Sequence, residues 1–141
     1  MVSIQYVREQ DRAFWLQMAP RTSDVSFMQR VRDQQGYVLF DGGIPVGVMY
    51  YNLIWDKLPF LNLLSILPAY QRQGVGRAAM AHWEADMQAK GYQMVLLSTQ
   101  VDETAQHFYR KLGYTDCGCL VLHHCPLAQP MEMFFCKTIS E

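Results

Sequence analysis

The chain has 141 residues, of which 50% are hydrophobic and 18% charged, and its formal net charge is -1. This composition indicates one globular domain, residues 1–141, and argues against a disordered chain. A net charge near zero gives no long-range attraction to nucleic acid or to an anionic membrane, so we expect neither as a partner. The N-terminus does not resemble a secretory leader, and no window approaches the ~20 apolar residues of a spanning helix. We therefore expect a cytoplasmic protein.

Apolar periodicity and turn residues predict seven strands and four helices. In chain order these are a strand over 3–7, helices over 11–18 and after Ser23, strands over 36–41, 44–51 and 61–66, a helix over 76–90, a strand over 92–99, a helix after Asp102, and strands over 114–122 and 131–137. Asp41-Gly42-Gly43 is a strong hairpin signal. Three apolar residues of the second helix are expected to face the core: Val25, Met28 and Val31. The strand-helix-strand spacing over 61–99 predicts a right-handed crossover and a parallel strand pair.

A loop with two glycines stands directly before the helix over 76–90. Gly74 and Gly76 allow a positive φ and the close approach of a ligand to the backbone. The first-turn N–H groups of the helix point outward at the positive end of its dipole. Arg72 and Arg77 lie on either side as donors for a diphosphate. The segment therefore predicts an anion site, most naturally for phosphate.

Two motifs resemble those of the GNAT superfamily of N-acyltransferases. The first is an aliphatic residue, x and proline, then R/Q-x-x-G-x-G/A and a helix, and it is matched by Ile66, Pro68, Gln71, Gly74 and Gly76. The second is a helix ending in Y-x-K-x-G-F/Y, matched within 105–114. The resemblance covers residues 58–122. It implies an α/β (α+β) fold with a mixed, mostly antiparallel sheet of about seven strands, a central parallel pair and four flanking helices.

The resemblance also implies an enzyme that transfers an acetyl group from acetyl-CoA to an amine. The implied cofactor contacts are Leu64, Ile66, Gln71, Arg72, Gln73, Gly74, Val75, Gly76 and Arg77. The backbone N–H of Ile66 would stabilise the oxyanion. Tyr109 matches the tyrosine that protonates the departing thiolate, which a phenol with a pKa of about 10 can do in a dry site. We therefore expect Tyr109 to be the general acid.

The chain departs from the family pattern at two points. Where the family commonly has an asparagine that contacts the cofactor, this chain has Asp102, which we expect to cap the following helix instead. Where many relatives carry a glutamate on the central strand, this chain offers only Asn62 and Ser65. The base that removes the amine proton therefore stays open among a water relay and three side chains: Asp56, Glu132 and His123.

Aromatic and acidic residues in and beside the predicted connections indicate which kind of amine is the acceptor. Tyr51, Trp55, Asp56 and Glu132 would form an aromatic, mildly acidic site, which suits a small cationic amine. A peptide or protein amine is the alternative. Cysteines and histidines near residue 120 suggest a metal site, but free cysteine is a common core residue, so we expect no metal. We expect a monomer or a homodimer.

Two other functions fit part of the pattern. Gly74-x-Gly76-x-x-Ala79 also fits a dinucleotide fingerprint, but the next strand ends in Ser98-Thr99-Gln100 without the acidic residue that binds the ribose. A protein of the same fold that binds acyl-CoA without turnover is the second alternative. Tyr109 together with an intact glycine loop argues against it, and release of free thiol from acetyl-CoA discriminates the two.

Overall fold

The computed structural model describes residues 1–140, and its strands form a seven-stranded sheet. The elements are β1 (Val2–Tyr6), a 3-10 turn (Glu9–Asp11), α1 (Arg12–Met18), α2 (Asp24–Asp33), β2 (Gly36–Asp41), β3 (Ile44–Ile54), β4 (Leu58–Ile66), a 3-10 turn (Pro68–Tyr70), α3 (Val75–Ala89), β5 (Met94–Gln100), α4 (Ala105–Lys111), β6 (Thr115–Leu120) and β7 (Glu132–Thr138). The strand order is β1-β2-β3-β4-β5-β7-β6. β4 and β5 form a parallel pair in this mostly antiparallel sheet, which confirms the predicted fold class. Within residues 1–140, no helix is long and apolar enough to cross a bilayer.

The chain divides into two compact units. The first contains residues 1–52 and 61–86, and the second contains residues 53–60 and the chain from Met87 onward. The expectation of a single domain stays a prediction. In the first unit, apolar side chains of α1, α2 and the sheet form a core that includes Trp15, Phe27, Val38 and Val48. Helical and strand periodicity thus turn one face of each element inward.

The second helix begins as predicted, but its inward face differs. The Ser23 hydroxyl accepts the Ser26 N–H at 3.1 Å, so Ser23 is the N-cap. Phe27 and Arg30 are buried, whereas Val25 is 81% exposed. The prediction that Val25 faces the core is therefore wrong, because at ~100° per residue it lies on the opposite side of the helix from Phe27. Two other apolar residues of α2 pack against the core, as expected: Met28 and Val31.

In the first unit, the carboxylate of Asp86 joins α3 to the sheet. Asp86 of α3 accepts the hydroxyl of Tyr6 at 2.9 Å and the hydroxyl of Tyr37 at 2.5 Å. Burial and then this carboxylate raise the pKa of Tyr37 well above its ordinary value. Tyr51 packs near Tyr37 and Trp83, with ring centroids 6.3 Å and 6.0 Å away. Long-range polar and aromatic contacts therefore hold the helix that follows the glycine loop.

The tight turns after β2 and after β3 differ in how well the sequence predicts them. Gly42 and Gly43 have φ values of 59° and 83°, which confirms the first hairpin. β3 continues three residues further than predicted, and it reverses at Trp55 and Asp56, whose φ values are 55° and 58°. A 3.1 Å bond from the N–H of Lys57 to the carbonyl of Ile54 closes this second turn. The expected connection over 52–57 is thus a tight turn in which two non-glycine residues adopt the left-handed conformation.

The second unit is built on the antiparallel strands β5, β7 and β6. Leu97 of β5 pairs with Phe135 of β7, and both side chains are buried. β6 is exposed along its whole length and carries a bulge at Cys117. Arg110 of α4 lies 4.8 Å over the Phe135 ring and donates two bonds to the Asp116 carboxylate, at 2.9 Å and 3.0 Å. These contacts fix α4 against β6 and β7.

Candidate active site

The glycine loop ends directly at the start of α3. The helix begins at Val75, one residue earlier than predicted, and Ala78 donates to the carbonyl of Gly74 at 3.0 Å. The N–H groups of Val75, Gly76 and Arg77 precede this first helical bond, so they have no acceptor within the helix. The positive end of the helix dipole lies behind them. This local geometry is the one expected of an anion site.

Two glutamine side chains hold the loop in place. The side-chain amide of Gln71 donates to the carbonyl of Ile66 at 2.9 Å. The side-chain amide of Gln73 donates to the carbonyl of Ala69, also at 2.9 Å. Both side chains are therefore engaged with the segment that leads into the loop. A contact between either residue and a cofactor would have to come from its backbone or from the remaining polar atoms of its side chain.

Of the two loop glycines, only Gly74 has the expected backbone conformation. Its φ is +87°, a value that other residues rarely adopt, and a Cβ at this position would meet nothing within 4 Å. Gly76 is the second residue of α3 and is helical, so the expectation of a positive φ at Gly76 is wrong. The helix begins at Val75, which places Gly76 inside its first turn. Arg72 takes the other positive φ of the loop, at 62°.

A glycine on β3 allows β3 and the end of β4 to approach closely. A Cβ at Gly47 would lie 2.6 Å from the backbone oxygen of Ser65, which is closer than real Cβ atoms come. Any side chain at Gly47 would therefore displace the end of β4. This part of β4 carries Leu64 and Ile66, both half-buried and both expected to bond the cofactor through their backbone. The close approach fixes the path of that backbone.

Two arginines lie in and directly after the loop. Arg72 and Arg77 are both exposed, one in the loop and one in the first turn of α3. Guanidinium groups stay charged at any physiological pH and bind phosphate oxygens through paired N–H groups. The guanidinium groups of Arg72 and Arg77 are therefore accessible to a ligand from solvent.

Tyr109 is positioned by the way in which α4 ends. Gly113 has a φ of +96° and donates to the carbonyl of Arg110 at 3.1 Å. Tyr114 donates to the carbonyl of Tyr109, also at 3.1 Å. These are the two bonds of a Schellman motif, which usually carries an apolar contact between the same two residues. The Tyr109 and Tyr114 rings make that contact, with centroids 6.0 Å apart.

The surroundings of Tyr109 keep its phenol neutral. The ring is half-buried and meets the Phe108 ring edge-on, at 5.1 Å between centroids. Burial, and secondly the negative charge of Glu103, raise the pKa of Tyr109 to about 12. The phenol therefore carries its proton throughout the physiological pH range. A protonated phenol is the state that an acid requires.

The fourth helix begins two residues later than expected. Thr104 occupies the N-cap position, and Asp102 lies in the preceding turn, so the predicted cap at Asp102 is wrong. Two side chains close this turn instead. Glu103 accepts the N–H of Gln100 at 2.8 Å, and Gln106 donates to the Glu103 carbonyl at 3.1 Å. Glu103 lies six residues before Tyr109, and Gln106 lies three residues before it. The sequence interpretation missed the part that these two side chains play in the turn before α4.

Replacing Gly113 by alanine tests whether this helix end positions Tyr109. The strain of a non-glycine residue at φ +96° costs ~1–2 kcal/mol, and the added Cβ meets only Lys137, at 3.6 Å. We expect Gly113→Ala to lower Tm by about 3–8 °C and to lower kcat as well. Gly91→Ala, at φ +91° after α3, is the control with similar strain. Equal kcat values in the two variants, measured at a temperature where both are folded, would contradict the positioning role.

The predicted acceptor residues lie in different environments. Trp55 is 78% exposed, and Asp56 beside it is also exposed. Glu132 is half-buried and accepts the side-chain amide of Gln129 at 2.7 Å. Tyr51 is only 3% exposed. The Tyr51 ring belongs to the core of the first unit, so we expect no acceptor contact there.

The histidines and cysteines of the second unit do not form a cluster of metal ligands. His123 and His124 follow β6, with ring centroids 6.4 Å apart, and His123 is exposed. In the described part of the chain, residues 1–140, no three His, Cys, Asp or Glu side chains are placed to hold a metal ion. All four cysteines are free thiols.

Solved structures of several acetyltransferases match the chain over nearly its whole length. The ribosomal-protein-S18-alanine N-acetyltransferase of Escherichia coli matches with a TM-score of 0.81 at 19% identity, covering 100% of this chain and 96% of that one. Arabidopsis thaliana Naa50, in complex with the bisubstrate analogue CoA-Ac-MVNAL, has a TM-score of 0.80 at 18% identity, covering 96% and 97%. Salmonella typhimurium yncA, with its cofactor acetyl-CoA, has a TM-score of 0.79 at 14% identity, covering 99% and 95%. At these identities the matches establish the fold.

The sequence itself identifies the family. No curated protein matches the chain at a significant level. The family model for the acetyltransferase (GNAT) family, however, matches residues 4–114, which is most of the chain. This span contains the glycine loop before α3 and Tyr109, and it ends at Tyr114, the last residue of the Schellman motif. The chain therefore belongs to the acetyltransferase (GNAT) family.

Proposed function

We propose that this protein is an N-acetyltransferase that moves the acetyl group of acetyl-CoA to a primary amine by direct attack in a ternary complex. The observation that carries the proposal is the glycine loop before α3, where first-turn amides and two arginines are available to an anion. Such a loop suits the diphosphate of coenzyme A. Membership of the family supports an acetyl donor rather than a dinucleotide.

We assign the donor contacts to the end of β4 and to the loop that follows it. The residues are Leu64, Ile66, Gln71, Arg72, Gln73, Gly74, Val75, Gly76 and Arg77. The backbone of Leu64 and Ile66 bonds the pantetheine arm as an additional strand would, and the Ile66 N–H stabilises the oxyanion. Acetyl-CoA bound to the Salmonella protein and the CoA-containing analogue bound to the Arabidopsis protein support this kind of donor.

Tyr109 is the proposed general acid. As the amine nitrogen attacks the thioester carbonyl, the carbon–sulfur bond breaks and the departing sulfur needs a proton, which the phenol donates. The pKa of Tyr109, about 12, lies above the ~8.5 of an ordinary thiol. The burial that raises the pKa of the phenol also raises the pKa of a thiol bound beside it. The difference between the two pKa values is therefore smaller in a dry site. The proton returns to Tyr109 from solvent after the product leaves.

The amine must lose a proton, and we propose that water carries it away. β4 offers only Asn62, which is exposed, and Ser65, which is half-buried, and neither is a base at neutral pH. Three side chains with suitable chemistry remain as alternatives to the water relay: Asp56, Glu132 and His123. Substitution of each, with kcat/KM followed against pH, separates them from the relay.

We propose a small cationic amine as the acceptor. Trp55 offers an exposed aromatic face, and the adjacent Asp56 and the half-buried Glu132 offer carboxylates. An ammonium group is attracted to both kinds of surface. A peptide amine is the second candidate, because the Escherichia coli relative is named for an alanine of a ribosomal protein and the Arabidopsis relative binds a peptide-bearing analogue.

We propose that the protein acts in the cytoplasm, as a monomer or homodimer. Free cysteines are usual in a reducing compartment, and all four cysteines of this chain are unpaired. The net charge of -1 gives no reason to expect nucleic acid or an anionic membrane as a partner. Sedimentation analysis measures the oligomeric state directly.

Ligand-induced stabilisation followed by a turnover assay tests the function. We expect acetyl-CoA to raise Tm, because a ligand that binds only the native state stabilises it. We then expect free thiol to appear when small diamines are added, and to a smaller extent with peptides. A rise in Tm without thiol release from any amine would favour a binding protein without turnover. No rise with any acyl-CoA would contradict the proposal.

A further inference from the structure

The carbonyl of Ile66, the last residue of β4, is capped by a side chain of the glycine loop. The Nε2 atom of Gln71 donates to this carbonyl at 2.9 Å. The backbone N–H of Gln71 is also engaged, since it donates to the carbonyl of Pro68 at 3.3 Å. Gln71 is exposed, yet both bonds tie it to the segment that precedes the loop. They suit a residue that shapes the end of β4 better than one that holds a diphosphate.

The neighbouring peptide groups fix the direction in which Ile66 points. A Cβ at Gly47 would lie 2.6 Å from the backbone oxygen of Ser65, so the Ser65 carbonyl faces β3. The Leu67 N–H also faces β3, because it donates to the carbonyl of Val46 at 2.8 Å. In a trans peptide the C=O and the N–H point in opposite directions. The N–H and the carbonyl of Ile66 therefore both point away from β3, toward the same edge of β4.

The cap on the carbonyl decides what kind of group can bind at Ile66. A strand that paired with Ile66 would exchange two bonds with it, one through the N–H and one through the carbonyl. The Gln71 side chain already takes the place of the donor in such a pair. A ligand group at this point must therefore accept a hydrogen bond and need not donate one. The carbonyl of a thioester has this property, whereas an amide brings a donor as well.

We propose that Gln71 is a positioning residue for acetyl transfer, whose side chain caps the Ile66 carbonyl and so holds the Ile66 N–H in place for the oxyanion. Without the cap, the carbonyl oxygen would lie beside the oxyanion on the same edge of β4, and two negative oxygens repel each other. This repulsion grows as the oxyanion forms, so its relief favours the transition state over bound acetyl-CoA. The inference rests on the proposed function, in which Ile66 stabilises the oxyanion.

Three variants test the role of this bond. Gln71→Met keeps the approximate length of the side chain but has no donor. Gln71→Arg supplies N–H donors again, and these can reach a carbonyl. Gln29→Met is the control, because the Gln29 side-chain amide also donates two bonds, to Asp33 at 3.0 Å and to Gln35 at 2.9 Å. Gln29 lies on α2, outside the proposed donor site.

We expect Gln71→Met to lower kcat about fivefold, as the loss of one neutral hydrogen bond would, while the Kd for acetyl-CoA stays within about twofold. Gln71→Arg should restore kcat, and Gln29→Met should keep the native value. Steady-state rates at saturating acetyl-CoA and amine, together with calorimetry, measure the two quantities. Native kcat in Gln71→Met, an equal loss in Gln29→Met or no rescue by arginine would overturn the proposal. Weaker acetyl-CoA binding at native kcat would also overturn it, since Gln71 would then be a direct cofactor contact.

Amide hydrogen exchange distinguishes failure of this proposal from failure of the proposed function. If the native protein releases no thiol with any amine, the proposed function fails, yet the hold of Gln71 on the end of β4 can still be measured. The Leu67 N–H should exchange about fivefold faster in Gln71→Met than in the native protein, as followed by NMR. In Gln71→Arg it should exchange at the native rate. Equal exchange rates in all three proteins would show that the side chain does not position this peptide, and would overturn the proposal.

Discussion

We expect the Gly74→Glu variant to bind acetyl-CoA about 100-fold more weakly than the native protein, or not measurably. Two effects combine at this position. The φ of +87° is strained for any residue with a side chain. The new carboxylate would stand beside the amides and arginines that we assign to the diphosphate, and like charges held together cost several kcal/mol. Isothermal titration calorimetry with acetyl-CoA measures the loss directly.

Gly91→Glu is the matched control for this variant. Gly91 has a φ of +91°, and a Cβ there also meets nothing within 4 Å, so the strain and the added charge are alike. Gly91 lies just after the C-terminal end of α3, whereas Gly74 lies just before its N-terminal end. The helix has 15 residues and is therefore ~22 Å long. We expect Gly91→Glu to lose a similar amount of stability and to keep its affinity. Native affinity in Gly74→Glu would rule out the loop as the diphosphate site.

Tyr109→Phe is expected to lower kcat by about 100-fold while acetyl-CoA affinity stays within about twofold. The substitution removes only the hydroxyl, so the ring contacts with Phe108 and Tyr114 persist and α4 should end as before. Loss of a positioned general acid typically costs ~100-fold or more. Steady-state rates with saturating acetyl-CoA and amine, together with calorimetry, separate turnover from binding.

Tyr92→Phe is the control for removal of a phenol. Tyr92 lies after α3, where it donates its N–H to the Met87 carbonyl at 3.1 Å, so the phenol is lost near another helix end. We expect native kcat in this variant. Because the pKa of Tyr109 is about 12, its phenol should stay protonated up to pH ~11, and kcat should not fall at alkaline pH before the protein unfolds. Undiminished turnover in Tyr109→Phe would remove Tyr109 as the acid.

Features that depend on a few adjacent residues could be predicted from the sequence. The hairpin at Gly42 and Gly43 and the cap at Ser23 were both found where the sequence placed them. Each depends on local chemistry: a positive φ that glycine permits, or a hydroxyl that accepts an N–H two or three residues on. The same holds for Gly91 and Gly113, which end α3 and α4 in left-handed conformations.

Local signals failed where contacts from distant parts of the chain decide the structure. Trp55 and Asp56 form a tight turn although neither is a glycine, the residue that usually indicates such a turn. β3 continues to Ile54. Pairing between strands of the sheet offsets the strain of the left-handed conformations at Trp55 and Asp56. At α4, Glu103 and Gln106 close the preceding turn with their own side chains and remove the need for Asp102 as a cap.

The sequence alone determined the class of fold, the loop that suits a diphosphate and the identity of the candidate acid, because spacing and residue type carry that information. Only the tertiary structure decided that Gly74 and not Gly76 has the strained conformation, that Tyr51 is a core residue, and that burial, followed by the charge of Glu103, raises the pKa of Tyr109 to about 12. Burial and charge act through space, between residues whose distance in the sequence says little about their distance in the fold.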